Sequence, residues 1–297
     1  MIVTFGSINL DLFFHLPELP RPGQTLLAQS AQVEAGGKGA NQAFAAACDG
    51  ARVVMAGAVG QDALAESALA GLRTAGVDLS RVAQLPGQQT GCASIGVDGQ
   101  GRNAIVVAAG ANRSALAAQV EDALLGPGTT LLLQMENDPR EIAAMILRAR
   151  QQGARIVLNL APAAELCLEI LRSVDLLVLN ESEAEWLSDR LGTRATAEAL
   201  QRVLRVVVVR TLGGKGVEAA TGDGVSQIAA WPVEVVDSTG AGDCFTGVLA
   251  SALDRGTDLG RALIRANAAA ALACTRPGSQ RSAPQARETD DFLALRG

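Results

Sequence analysis

The chain has 297 residues, 48% hydrophobic and 19% charged, which is enough apolar side chain for a large globular core. Its formal charge of -6, with no basic run, excludes a nucleic-acid partner, because such a partner needs a basic footprint. A single histidine, His15, excludes chemistry built on several histidines, and its alternating apolar surroundings mark it as structural.

The opening MIVTFG reads as a strand over Ile2–Phe5, with no leader expected ahead of it. Leu10–Val33 alternates polar and apolar residues, as a hairpin would. A helix over Gly39–Cys48 follows a glycine-rich turn, then a strand over Val53–Val59 and a helix over Leu64–Ala75. Thr90–Ala108 is a second alternating segment, turning at Asp98-Gly99-Gln100-Gly101. Strands over Thr130–Gln134, Arg155–Leu160, Leu176–Leu179 and Val206–Arg210 then alternate with helices over Glu141–Gln152 and Glu181–Leu191. Val235–Asp237 reads as a further strand leading through a small turn into an apolar helix that Gly256 ends; Pro277-Gly278 ends the next.

Continuous apolar strands separated by helices predict an α/β fold, a mostly parallel sheet covered on both faces. The two alternating segments, about residues 10–33 and 90–108, predict a small β-sheet standing off it as a lid, within one domain of 1–297. The longest apolar runs, such as Ala266–Cys274, fall short of the roughly 20 residues of a membrane span. Cys48, Cys92, Cys167, Cys244 and Cys274 form no CxxC pair and read as reduced thiols of a cytoplasmic protein.

Three stretches carry chemistry. In Val235-Val-Asp-Ser-Thr-Gly-Ala-Gly-Asp243, the residues Gly240, Ala241 and Gly242 can turn backbone N–H groups toward an anion at the positive end of the following helix. Asp243 beside that anion site suits a base that takes the proton of an attacking hydroxyl; by itself it suits a helix cap equally well. In Gly36-Gly-Lys-Gly-Ala-Asn41, glycines let backbone approach a small ligand while Lys38 and Asn41 offer hydrogen bonds, unless this is only a turn before a surface helix. In Gly6-Ser-Ile-Asn-Leu-Asp11, Asn9 and Asp11 share one side of an extended segment and suit a polyol's hydroxyls, or a generic polar loop. Neither Gly-Gly-Lys run continues as a P-loop, and no GxGxxG follows the first strand.

These motifs, in this order and over nearly the whole chain, resemble the ribokinase family of carbohydrate kinases. Asn180-Glu-Ser-Glu183, Thr211-Leu-Gly-Gly-Lys-Gly216 and Asn159-Leu-Ala-Pro-Ala163 resemble further elements of that family. The resemblance implies the ribokinase-like three-layer fold and a β-lid that often forms a homodimer contact. It implies transfer of the ATP γ-phosphate to a primary hydroxyl, O5 of D-ribose, with 2-keto-3-deoxygluconate, deoxyribose, fructose or a nucleoside as alternative acceptors. By matching position, Asn9, Asp11, Gly37, Lys38, Asn41, Glu136 and Asp243 would meet the sugar, and Ala93 and Ile95 would close over it. Asn180, Thr211, Leu212, Gly213, Gly214, Lys215, Gly216, Gly242 and Asn267 would face the nucleotide, and Glu183 would organise magnesium through water. Asp237, Thr239, Ala273, Arg276, Gly278 and Ser282 would hold potassium, mostly through backbone carbonyls. Arg210 and Ser94 stand where the family usually has apolar residues.

Overall fold

The computed structural model describes residues 1–100 and 102–296; Gly101, last of the expected Asp98–Gly101 turn, and Gly297 lie outside the described residues. The strands are β1 (Ile2–Phe5), β2 (Asn9–Leu16), β3 (Ser30–Gly36), β4 (Val53–Gly60), β5 (Asp78–Leu85), β6 (Gly91–Asp98), β7 (Asn103–Ala108), β8 (Thr130–Leu133), β9 (Arg155–Asn159), β10 (Leu176–Leu179), β11 (Val207–Thr211), β12 (Val217–Thr221) and β13 (Gly224–Ile228). The helices are α1 (Lys38–Cys48), α2 (Ala63–Thr74), α3 (Pro139–Gln152), α4 (Leu168–Leu171), α5 (Glu181–Leu191), α6 (Ala197–Leu204), α7 (Ala241–Asp254), α8 (Leu259–Ala273) and α9 (Ala286–Ala294).

Nine strands form the central sheet in the order β13-β12-β11-β10-β9-β8-β1-β4-β5. All neighbours are parallel except the last hairpin, where β12 runs antiparallel to both β11 and β13. Because side chains alternate across a strand, Val53 and Met55 join a core with α1, α2, α7 and α8, while Val54 and Ala56 join a second core with α3, α5 and α6. Those two cores make the three layers. At the antiparallel edge Arg210 stands opposite Glu218, and their side chains pair at 3.1 Å, which accounts for a charge at an otherwise apolar position. No helix among the described residues is long and apolar enough to cross a membrane.

The sequence reading needs correction at four strands. Strands β5, β12 and β13 were not anticipated, and Val235–Asp237 is not a strand. Val235 and Val236 are each 62% exposed, and the N–H groups of Val236 and Asp237 both donate to the Cys274 carbonyl instead of a ladder. The end of α8, through the Cys274 carbonyl, holds this β-branched run where a neighbouring strand would have to be.

The second sheet has the order β3-β2-β6-β7. Its two hairpins lock together because β2 and β6 pair in parallel, Asn9 opposite Gly91 through Leu16 opposite Asp98. The register sets Asp11 opposite Glu34 on one side and Ala93 on the other, so these three share a face.

Candidate active site

In a parallel sheet the carboxyl ends of the strands open onto the ligand crevice. Asn180 and Glu136 follow β10 and β8, while Asn159 and Thr211 end β9 and β11. Two helices point their starts into the same crevice, each capped by a glycine with positive φ: Gly37 (86°) before α1 and Gly240 (73°) before α7. At Gly37 a side chain is also barred by space, since a Cβ would lie 2.8 Å from the Asn9 nitrogen. The first turns of α1 and α7 meet at Asp243. Its Oδ2 accepts from Asn41 Nδ2 at 3.0 Å and its Oδ1 from Gln42 Nε2 at 2.9 Å. Asp243 is therefore a buried carboxylate fixed across two helices, and not a free cap.

On the lid side of Asp243, Lys38 N–H and Ser7 Oγ both donate to Glu136 Oε2, at 3.0 and 2.5 Å. Asn9 is buried, and its Oδ1 accepts from Asn112 Nδ2 at 2.7 Å. Asp11 Oδ1 is buried without a protein donor. Burial foremost, then Glu136, Glu34 and Asp243, pushes the Asp11 carboxyl up to about 7 against the pull of Lys38. The Lys38 ammonium is held above the usual lysine range chiefly by Asp243, with Glu136, Glu183 and Asp11 adding to it against the cost of burial. Four acids around one lysine leave an acceptor-rich pocket for hydroxyl donors. Ala93 and Ile95 are buried in β6.

On the other side, a cavity of about 120 Å³ is lined by Lys38, Asn159, Asn180, Glu183, Thr211, Gly240, Gly242, Asp243 and Thr246 among others. Thr211 and Gly242 also line a larger cleft of about 530 Å³, bounded by Gly213, Gly214, Gly216, Trp231, Val233, Phe245, Asn267 and Ala270. Of the residues expected to face a nucleotide, Leu212 and Lys215 line neither; Lys215 is exposed and lies 3.5 Å from Glu181. Asn267 borders the cleft, yet its Nδ2 already donates to the Ala229 carbonyl at 2.7 Å. In the α7 turn, Ala241 donates its N–H to the Ser238 carbonyl at 3.2 Å, which leaves Gly240 and Gly242 to meet an anion.

Glu183 caps α5 reciprocally with Asn180, its Oε2 accepting the Asn180 N–H at 2.8 Å. Burial raises its carboxyl, and Asp243 adds to that against Asn180 and Lys38. The Asp237 carboxyl is pushed up by burial, but the N–H groups of Gly278 and Thr239, each at 2.9 Å, outweigh that and keep it below the usual range. Ser282 Oγ donates to the Ser279 carbonyl at 2.8 Å, and the Ala273 carbonyl accepts the Arg276 N–H at 3.1 Å. The Arg276 side chain is turned to Glu288 at 2.5 Å.

Sequence reasoning missed Ser7, Gln42, Asn112 and Trp231. Ser7 lies inside Gly6–Asp11 and Gln42 one residue past Gly36–Asn41, and each gives itself away only through its partners. Asn112 and Trp231 sit in segments with no periodic pattern.

The model of the pfkB family carbohydrate kinases matches residues 1–286. A ribokinase of Haemophilus influenzae is 34% identical over 302 residues, covering 98% of both chains. A deoxyribokinase of Salmonella typhi is 32% identical over 305 residues, covering 99% of both. The structure of Arabidopsis thaliana ribokinase complexed with ribose and ATP superposes with a TM-score of 0.89, at 29% identity and 98% coverage of each chain. Matches that run through every strand of the crevice place this chain in the pfkB family of carbohydrate kinases.

Proposed function

We propose that this enzyme transfers the γ-phosphoryl group of ATP to O5 of D-ribose. The observation that carries the reading is Asp243, a buried carboxylate in the first turn of α7 that lines the smaller cavity together with Lys38, Glu183 and Gly242. Asp243 takes the proton of the 5-hydroxyl as that oxygen bonds to the γ-phosphorus, and the bond to the ADP oxygen breaks. The N–H groups at Gly240 and Gly242 receive the charge that develops on the phosphoryl oxygens.

Asn9, Asp11, Lys38, Asn41 and Glu136 hold the sugar, with Gly37 giving the room. Asn180, Thr211, Gly213, Gly214, Gly216 and Asn267 border the nucleotide. Glu183 and Asp243 bring two acids and one lysine, Lys38, to the smaller cavity, a charge balance that fits magnesium held through water by Glu183. Bound there, the ion would neutralise phosphate oxygens. Asp237, kept ionised beside the α7 turn, fits a potassium ion together with carbonyls among Thr239, Ala273, Arg276 and Gly278; Ser282, whose hydroxyl is committed to Ser279, shapes the loop. The β2-β3-β6-β7 sheet serves as the lid and as a homodimer contact.

Asp243→Asn should retain sugar binding and lose about 10²–10⁴ in kcat, measured by ADP release. A wild-type rate would remove Asp243 from the role of base. The deoxyribokinase relative supports a second reading, with deoxyribose as acceptor. A kcat/KM for deoxyribose well above that for ribose, in a panel that includes fructose and nucleosides, would replace the ribose assignment.

A further inference from the structure

Gln42 sits behind the base. It is fully buried in α1, one residue past Asn41, and its Nε2 hydrogens are both used: one on Asp243 Oδ1 at 2.9 Å, the other on Asn159 Oδ1 at 2.9 Å. Its Oε1 accepts from Gln134 Nε2 at 2.7 Å. The direction of this chain is dictated from the carboxylate end. An ionised carboxylate only accepts, so Gln42 must present its amide nitrogen to Asp243 and its oxygen to Gln134, and Gln134 must then present nitrogen. The result leaves Gln134 Oε1 buried with no donor. It faces Gly6, where a Cβ would come 2.1 Å from that oxygen.

Gln134 is also fully buried, directly after the three leucines, Leu131–Leu133, that end β8. A leucine there would remove the unpartnered Gln134 Oε1 but strand Gln42 Oε1 in its place, so the two amides stand or fall together in a part of the core that packing alone would fill with apolar side chains. Asn41 divides its amide: Nδ2 donates to Asp243, while Oδ1 is unpartnered and free to accept from a sugar hydroxyl. Gln42 lies within the core, and nothing in the crevice competes for it.

We propose that Gln42, braced by Gln134 and Asn159, is a positioning residue that holds the Asp243 carboxylate in the one orientation from which it reaches the sugar hydroxyl. The proposal rests on Asp243 acting as the base. It touches neither substrate, so its loss falls on kcat and leaves both KM values in place.

The test is steady-state kinetics of Gln42→Met, Asp243→Asn and the double variant, with ribose and ATP, alongside thermal melts. Gln42→Met should lower kcat by about 10- to 100-fold, with both KM values within about twofold of wild type. In the Asp243→Asn background the same change should cost nothing further, because its target is already lost. Full multiplicative loss in the double variant, or an unchanged kcat in Gln42→Met, overturns the proposal. Wild-type activity in Asp243→Asn sinks the base itself, a different failure with a different signature. If Gln42→Met does not fold, Gln134→Leu decides on the same criteria, with a smaller fall in kcat expected. Failure of both variants to fold shows a purely structural pair and likewise overturns the proposal.

Discussion

Asp11 shows what the acceptor-rich pocket costs and what it gains. Its carboxyl is raised to about 7 from an ordinary value of 3.8, so the folded protein binds a proton there that the unfolded chain has released. Stability therefore suffers at high pH: the penalty is full above about 7 and shrinks as pH falls toward 3.8. The ionised form, in contrast, is the one that accepts two sugar hydroxyls. Ribose KM should rise as pH drops from 8 to 6, while KM for ATP, bound across Asp243 from Asp11, moves far less. Asp11→Asn should flatten that profile, raise ribose KM at every pH, and raise Tm by several degrees at pH 8. A ribose KM that stays flat between pH 6 and 8 would contradict this account. The unpartnered Oδ1 of Asp11 belongs to the same logic, since a buried acceptor without a donor is a place prepared for one.

Helix α7 reaches α1 closely because Gly247, one turn past Asp243, has no side chain. A Cβ there would stand 2.4 Å from the Gln42 carbonyl oxygen and 3.0 Å from the Ala45 Cβ. Backbone cannot yield by that much without the two helices separating. Gly247→Ala should cost about 1–3 kcal/mol by overpacking. It should also lower kcat, since separation lengthens the Asn41 and Gln42 bonds to Asp243; melts and kinetics on one preparation check both. An alanine variant with wild-type Tm and kcat would show that the helices have slack. The contact also explains what the sequence could and could not tell. Short unbroken apolar runs such as Leu131–Leu133 and Leu176–Leu179 identify buried parallel strands because they are too short for a helix and alternate with helical segments. Val235-Val236 carries the same signal and is no strand, because its main chain is tied to the Cys274 carbonyl at the end of α8, a long-range contact that no local pattern reveals. Asp243 and Lys38 were legible from their setting among glycines. Gln42 was not, because one glutamine in an alanine-rich helix means nothing until α7 is laid against it.

The lid sheet sets a problem for the whole molecule. Strand β7 is an edge strand, and Ile105, Val106 and Val107 on it are 53%, 72% and 53% exposed, while Val33 on the opposite edge strand is 58% exposed. An apolar edge left open is a template for pairing with other chains, and proteins commonly cover one. Ile105 stands opposite Ile95, and Val107 opposite Ala93, so the exposed edge continues the face that carries Asp11. Covering it with a second copy of the chain would bury this apolar strip and hold the lid against the sugar pocket. The wild-type protein should therefore sediment as a dimer at micromolar concentration. Ile105→Asp with Val107→Asp should give a monomer, because two desolvated charges on the strip cost more than its burial returns. If the contact steadies the lid, the monomer should keep kcat within a few-fold of wild type and lose ribose affinity, with KM up about 10-fold or more. ATP binding, on the far side of Asp243, should stay as it was. A wild-type chain that remains monomeric at tens of micromolar, or a double variant that stays dimeric, would move the partner surface away from β7 and leave the lid to close by itself.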